Sequence, residues 1–515
     1  MTDLVIGSGP AGVAAASALL ARGRKVVMID AGGELEQERQ DLRARLAGAA
    51  PSDWAAADLD RYRTLSPDAK PGEVTRFGSD FFVRDVDGLF EARPEWLALR
   101  ASYALGGLSN AWGSAVLPYR QEDLAGWPVS ADELTPHYRA VMGMMSVAGQ
   151  PDALAPLFPA QDVSALKPLT VSTQAEGLLG RLERRRADLD RHGVSFGRAR
   201  VAVANACRDC GLCLIGCPYG YIFNAAAVVE TLTRNPAFDY RRGQALGFTE
   251  DDAGVQVTCR LEDGRVEAIG GERLFVAAGV LPTTQLVLGS TVGPGREVQL
   301  LDSQHLFLPM LHLWSVTHDP VAEPRHALAQ IFIEMLDPAV SPWTVHAQLY
   351  TYNELYADEM KGRYGRSPLL APLFEMLSRR LVVAQMFLHS DHSHRIGLTL
   401  APDRRKLLAR LVANPQMAAV ASAARGKLAR AVIGAGMAPL TPVSRLGAPG
   451  SSFHCGGTFP MRRDPGVLET DTLGRPGGLQ RVHLVDASVL PSIPATTITF
   501  SVMANAHRIA SEAPG

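Results

Sequence analysis

The sequence predicts an α/β protein: a Rossmann-like dinucleotide-binding domain joined to a second domain built on a mainly antiparallel sheet. Three observations carry this reading. A glycine-rich turn lies between two apolar runs at the amino terminus, and two later apolar runs (273–279 and 481–485) also end among small residues. Residues 300–400, by contrast, hold long aromatic-rich runs with no Gly-rich crossovers between them.

The first element is the most informative. Leu4-Val5-Ile6 stops at Gly7, and Gly7-x-Gly9-x-x-Gly12 opens an Ala-rich segment from Val13 to Leu20 that reads as a helix. A second apolar run, Lys25 to Ile29, ends in Asp30, 18 residues beyond Gly12. Each position has a physical use in holding a dinucleotide. Gly7 permits a tight turn, Gly9 lets a pyrophosphate approach the backbone, and Gly12 lets the helix lie close on the strand. The helix N-terminus faces the phosphates, and Asp30 can accept hydrogen bonds from an adenosine ribose. The motif by itself does not separate NAD from FAD.

The remaining elements follow in order. Residues 33–75 are charged and helical in character from Glu34 to Arg45, then looser around Pro51 and Pro67. The loop Ala104-Leu-Gly106-Gly107-Leu-Ser-Asn110-Ala-Trp-Gly113 exposes backbone suited to a planar ligand, while Leu105, Leu108 and Trp112 argue against full solvation. Ser130-x-x-Glu133 has the form of a capping box starting a helix. Gln256–Arg260 and Arg265–Ile269 alternate around a turn and read as a hairpin. Arg273 to Gly279 then leads into a helix, Leu281 to Leu288, as a strand returning to the dinucleotide sheet would. The runs Leu306 to Val316, Ala329 to Met335, Val345 to Tyr352 and Val383 to Leu388 read as antiparallel strands, the wall of a substrate pocket. His389, His392 and His394 follow in a polar turn, where surface histidines are favoured over a metal site.

Composition bounds the function. A chain of 515 residues exceeds one core, and 47% hydrophobic with 20% charged residues is ordinary for a globular protein. A net charge of −2 gives no reason to expect nucleic acid. Only Met1-Thr2-Asp3 precede the first strand, and no apolar run is long enough to span a bilayer, so a cytoplasmic location is expected. Thiols stay reduced there, so the six cysteines are not read as a disulfide framework.

Four of them form Cys207-x-x-Cys210-x-x-Cys213-x-x-x-Cys217-Pro218. This is the spacing of bacterial ferredoxins, whose thiolates ligate iron–sulfur clusters, and 4Fe-4S is favoured over 3Fe-4S. Structural zinc or free thiols are the alternatives. In two-cluster ferredoxins the fourth cysteine of such a run serves the other cluster. The fourth ligand here is therefore open among Cys217, Cys259 and Cys455, or absent in a three-iron cluster. A further segment, 404–440, holds Arg404, Arg405, Lys406, Arg410, Arg425, Lys427 and Arg430 and is read as basic amphipathic helices. These would form a solvated face, or a peripheral contact with the inner face of a membrane or an acidic partner.

The last seventy residues add Ser452-Phe-His454-Cys-Gly-Gly-Thr458, a strand ending in Asp486-Ala-Ser-x-x-Pro491, and a small-residue helix from Thr499. Together with the glycine fingerprint, the Gly106-Gly107 loop and Ala277-Ala278-Gly279, they resemble the glucose–methanol–choline (GMC) oxidoreductases, with the cysteine run suggesting an iron–sulfur-containing subgroup. The resemblance implies FAD, held by Gly7, Gly9, Gly12, Asp30, Gly107, Asn110, Ala278 and Asp486. It implies a discontinuous FAD-binding domain (1–125, 201–300 with the cysteines, and 446–515 with the histidine). A substrate domain (126–200 and 301–445) is interleaved with it.

The resemblance also implies chemistry. His454 would take the proton of an alcohol, for which an imidazole of ordinary pKa near 6.5 is suited, while hydride passes to flavin N5. The family's second residue, His or Asn, falls on Thr497, with Thr496 or Thr499 if the register slips. A threonine can hold the substrate oxygen but is no base near neutrality. The expected activity is an FAD-dependent dehydrogenase acting on a sugar, polyol or lipid-linked alcohol, with Cys207, Cys210, Cys213 and Cys217 passing electrons to a separate acceptor. Two readings compete with it. One is an oxidase or non-redox FAD enzyme with structural cysteines; the other is an idle family member serving as a lipid-associated or electron-transfer partner.

Overall fold

The computed structural model describes residues 2–65, 75–364 and 369–514; the stretch around Pro67 lies outside them. Its first layer grows from the glycine turn. β1 (Thr2–Ile6) and β2 (Lys25–Asp30) run parallel on either side of the turn into α1 (Pro10–Ala21). Both strands are apolar almost throughout, as strands covered on two faces must be. Arg273–Val276 pairs with β1 on one side and Val482–Leu484 extends the sheet beyond it. Phe238–Asp251 continues it past β2, followed by the hairpin Gly254–Leu261 and Val266–Gly271. Strands from three distant stretches thus make one seven-stranded sheet in which the five strands from Val482–Leu484 to Phe238–Asp251 are parallel. α1 packs against the carboxy-terminal helix Ile498–Glu512, which is buried along most of its length.

The second sheet is antiparallel. Its backbone is formed by His305–His312, Leu381–Phe387, Val345–Tyr350 and Ile331–Met335 in that spatial order, with Val194–Arg198 and Met437–Pro439 at its edges. The four apolar runs read in the sequence all become strands here. Alternate residues separate its two faces. Leu306, Ile333, Ala347 and Met386 face the helices Thr173–Glu183 and Met417–Ile433 in one apolar core. Glu334, His346, Phe387 and His305 face the other way.

A third, five-stranded sheet corrects the reading of the basic segment. Leu407–Val412 is a strand, not a helix; it pairs with Arg395–Leu400 and runs parallel to Phe90–Arg93. Its alternation of buried and more exposed residues is a strand's period, which the leucines at 407, 408 and 411 obscured. Only Met417–Ile433 is helical. The cations are largely engaged within the chain: Lys406 meets Glu91, Arg410 chelates Glu297 at 2.7 Å, and Lys427 reaches Asp337 at 2.5 Å. Among the described residues, no helix is long and apolar enough to cross a membrane.

The histidine turn needs a second correction. His389 is buried, its ring stacked on Trp343 at 4.5 Å. His392 and His394 are half-buried and bond to Ser341 and Asn414 respectively. The polar residues around them had suggested a solvated turn. Instead Ser390 is tied to the backbone of Ile493 in both directions, which draws the turn inward.

Candidate active site

The site starts at the glycine turn. Gly7 has φ +99, and a Cβ there would meet the Ala277 carbonyl at 2.3 Å. At Gly12 a Cβ would lie 1.9 Å from the Gly7 carbonyl, so helix and strand touch through backbone alone. Gly9, by contrast, faces open space. Asp30, at the end of β2, is buried and accepts the amides of Ser8 (2.8 Å) and Gly32 (2.9 Å). Burial pushes its carboxyl above the usual range, and those amides oppose the shift.

The 104–113 loop is docked onto this turn. The Gly106 amide donates to Ser8 Oγ at 2.9 Å, and a Cβ on Gly107 would come within 3.3 Å of the Gly9 Cα. Asn110 staples the loop internally, donating to the carbonyls of Leu105 (2.9 Å) and Gly107 (2.8 Å) and accepting from Asn224. From the third side, Asp486 accepts the Gly279 amide (2.9 Å), the Thr283 hydroxyl (2.5 Å) and the Ser488 amide (2.9 Å). This holds Ala278 at the edge of the site. These elements enclose a cavity of about 170 Å³ lined by Gly9, Gly107, Gly279, Cys455, Asp486 and Thr499, among others. It adjoins a second of about 840 Å³, with which it shares Gly7, Asp30, Ser102, Ala278 and Pro282. The second cavity runs on to Arg404 and Arg405, two of the seven basic residues of that segment. An elongated, glycine-lined cleft with an acid midway fits a dinucleotide.

His454 stands between this cleft and the antiparallel sheet. Its neighbours Phe453 and Cys455 line the cleft. Its own ring stacks on Phe387 at 4.7 Å and 20°. Ser452 Oγ accepts its amide, and Asp302 accepts Ser452 Oγ (2.5 Å) and the Gly450 amide (2.7 Å), fixing the turn. His454 Nδ1 is buried without a partner in the protein. Burial, followed by the charges of His346 and His305, pushes His454 down to about 3, far from the ordinary value assumed from sequence.

These features agree with what known proteins show. Residues 403–506 match the C-terminal-domain model of the family described as GMC oxidoreductase. Two uncharacterized GMC-type oxidoreductases of Mycobacterium tuberculosis, from strains CDC 1551 / Oshkosh and ATCC 25618 / H37Rv, are each 25% identical over 337 residues. These matches make the chain similar to GMC oxidoreductases. They cover 60% of this chain, which spans about half the length of those relatives (51%). A solved structure, pyridoxine 4-oxidase from Mesorbium loti, shares the fold at TM-score 0.60 and 15% identity, over 99% of this chain and 98% of that one.

The other residues singled out by sequence separate. Thr497 caps the carboxy-terminal helix, and its hydroxyl accepts the Leu117 amide at 2.8 Å, so it is occupied by backbone. Thr499 lines the cleft, and Thr496 Oγ1 is buried and unpartnered.

The cysteine loop holds Cys207, Cys210, Cys213 and Cys217 half-buried as free thiols. Burial pushes Cys207 up to about 12 and raises Cys213 as well, and the other three cysteines of the run contribute to the shift of Cys213. Cys259 and Cys455 lie apart, in the first and third sheets. Among the described residues, no three His, Cys, Asp or Glu side chains converge so as to hold a single metal ion. Leu212, Cys210 and Ile215 of this loop pack in one core with Ala104, Leu108 and Ala111, while Cys207 and Cys213 pack against a separate core that includes Val201 and Leu328.

What the sequence did not reveal is the polar face of the antiparallel sheet. Tyr350 donates to Gln348 at 3.0 Å, and its hydroxyl lies 3.5 Å from where a Gly113 Cβ would be. His346 pairs with Glu334 at 2.7 Å. The alternation His346-x-Gln348-x-Tyr350 was the available signal for this face.

Proposed function

We propose that the chain is an FAD-dependent dehydrogenase that oxidises a CH–OH group. One observation carries the reading: the glycine-lined cleft ends at the 453–455 turn, whose imidazole rests on the polar face of a separate sheet. Cofactor and substrate would therefore meet at His454. Gly7, Gly9 and Gly12 with the α1 N-terminus would hold the pyrophosphate of FAD, Asp30 the ribose, and Gly107, Asn110, Ala278 and Asp486 would shape the flavin end. When bound, FAD supplies the hydride acceptor. His454 stays neutral above pH 3, so it can hold an alcohol oxygen by a hydrogen bond. The sheet face, with Gln348 and Tyr350 beside the flavin loop, offers partners to several hydroxyls at once, which favours a sugar or polyol. The discontinuous domain division fits the same picture, since residues 2–30, 238–276 and 482–484 meet in one sheet.

The electron route belongs to the same proposal. Four thiols in one eleven-residue loop, several within reach of each other's charge, suit an iron–sulfur cluster, whose larger body needs ligands spread more widely than a single ion does. The core that Cys210 shares with residues 104–111 supports a cluster near the flavin end, from which a separate acceptor could be served. The absence of a single-ion site among the described residues favours the rival reading, a flavin oxidase or non-redox enzyme with structural cysteines. Gentle anaerobic purification followed by iron, sulfide and flavin assay separates the two. The dehydrogenase reading expects FAD together with about four iron atoms per chain, a cluster lost in Cys213→Ser, and bleaching of the flavin by an alcohol. Flavin without iron, or one hydrogen peroxide formed per alcohol in air at full rate, would reject it.

A further inference from the structure

Four side chains form one row across the antiparallel sheet. Glu334 is the cross-strand partner of His346, His346 of Phe387, and Phe387 of His305, so all four project from the same face. His454 comes from another sheet and stacks on Phe387 in the middle of this row. Phe387 is also nearly parallel to His346, at 6.1 Å and 26°. The row therefore brings a second imidazole to the ring, Phe387, on which His454 stacks.

His346 and Glu334 are both wholly buried, and Nδ1 lies 2.7 Å from Glu334 Oε1. A carboxylate can only accept, so Nδ1 carries the proton and Nε2 is left with its lone pair. That Nε2 is buried and has no partner among the described residues. An unpaired buried acceptor carries a desolvation cost that a ligand hydroxyl would relieve. His305, on the same row, has no carboxylate behind it, and Thr497 is committed to the Leu117 backbone.

We propose that His346 is the base of this active site, with Glu334 as its positioning residue, and that His454 holds the substrate oxygen. The inference rests on the alcohol-oxidising reading given above. The alcohol O–H bond breaks with its proton passing to His346 Nε2. The C–H hydride leaves with its electron pair to the bound flavin oxidant, and a carbonyl product remains. The imidazolium so formed lies against the Glu334 carboxylate, which stabilises it in a setting where His454 would find no anion. The pair supplies the second group that the residue at 497 cannot.

The test uses the FAD-loaded protein under anaerobic conditions. His346→Gln should lower the rate constant of flavin reduction by about 10²–10⁴ with FAD content unchanged. Glu334→Gln should move the acid limb of the reduction rate about one pH unit lower, because the anion that favours the imidazolium is gone. A packing role would not move that limb. ¹⁵N NMR of labelled histidines supplies a readout independent of turnover: His346 should show a bare Nε2 and a protonated Nδ1. Reduction within threefold of the parent in His346→Gln would overturn the proposal, as would a protonated Nε2. If His346→Gln fails to retain FAD, Glu334→Gln and the tautomer still decide. If no alcohol bleaches the parent flavin, the dehydrogenase reading falls, while the tautomer alone judges the pair.

Discussion

The two sides of the active-site cleft are built on different principles. The cofactor side is backbone: glycines of which Gly7, Gly12 and Gly106 leave no room for a Cβ, amides pointed at Asp30 and Asp486, and a loop bonded to Ser8. The opposite side consists of side chains gathered across four strands, where Glu334, His346, Phe387 and His305 meet only through register. A backbone site is tied to a short local motif. A site made by register is spread over eighty residues and leaves only a period of two in each strand. The first tolerates almost no substitution at its glycines, while the second can change its chemistry one side chain at a time.

The sharpest attack on this contrast is Gly12→Val. With a Cβ facing the Gly7 carbonyl at 1.9 Å, the variant should retain no flavin, as judged by absorbance of the purified protein. Normal flavin content would show that the close helix–strand contact is dispensable. Acid should act on both halves. His137, His305, His326, His389, His454 and His483 are held down to about 3 or 4 by burial, while the unfolded chain binds protons near 6.5. Their contribution is therefore complete above pH 6.5 and lost as pH falls towards 4. Asp302, raised to about 6, works in the opposite direction, as do Asp30, Asp123, Asp152, Asp209 and Asp486, whose carboxyls burial also raises; the lowered His312, His392, His394 and His507 add to the histidine side. Tm should fall from pH 7 to pH 5, and a flat or rising profile would contradict the assignment.

A smaller effect tests the basic segment. Replacing both Arg404 and Arg405 by Ala should weaken FAD binding about tenfold, read by fluorescence titration, because both line the larger cavity. An unchanged Kd would return those cations to the list of surface charges. The smallest effect is expected at the helix cap. Thr497→Val should cost about 1–3 kcal/mol in denaturant unfolding by stranding the Leu117 amide, and leave the pH profile of flavin reduction in place. A shifted profile would restore Thr497 as a substrate ligand.

Most of the cofactor side was legible in the sequence because each of its needs is local. The turn, Asp30, the 104–113 loop and the strand–helix units at 273 and 482 were all read in place. So was the capping box at Ser130, where side chain and backbone exchange bonds with Glu133. The antiparallel strands were also recognisable from their apolar runs, but their polar partners were not. Glu334 and His346 are twelve residues apart in sequence and become neighbours only through pairing. The strand Leu407–Val412 passed for a helix since its exposed Leu408 and half-buried Leu411 mimic an apolar helical stripe. Burial, which decides the state of His454 and His389, is a property of the assembled molecule and is invisible one residue at a time.

The hydrogen bond from Gly106 to Ser8 has a consequence for how the protein is assembled. It latches one loop over the floor of the cleft, and that loop shares its apolar underside with the cysteine segment. Loading a flavin would then require the latch to open, loosening the thiol loop at the same moment. Flavin loading and the packing of the thiol loop would thus be coupled, and once the latch shuts, exchange of flavin with solution should be slow.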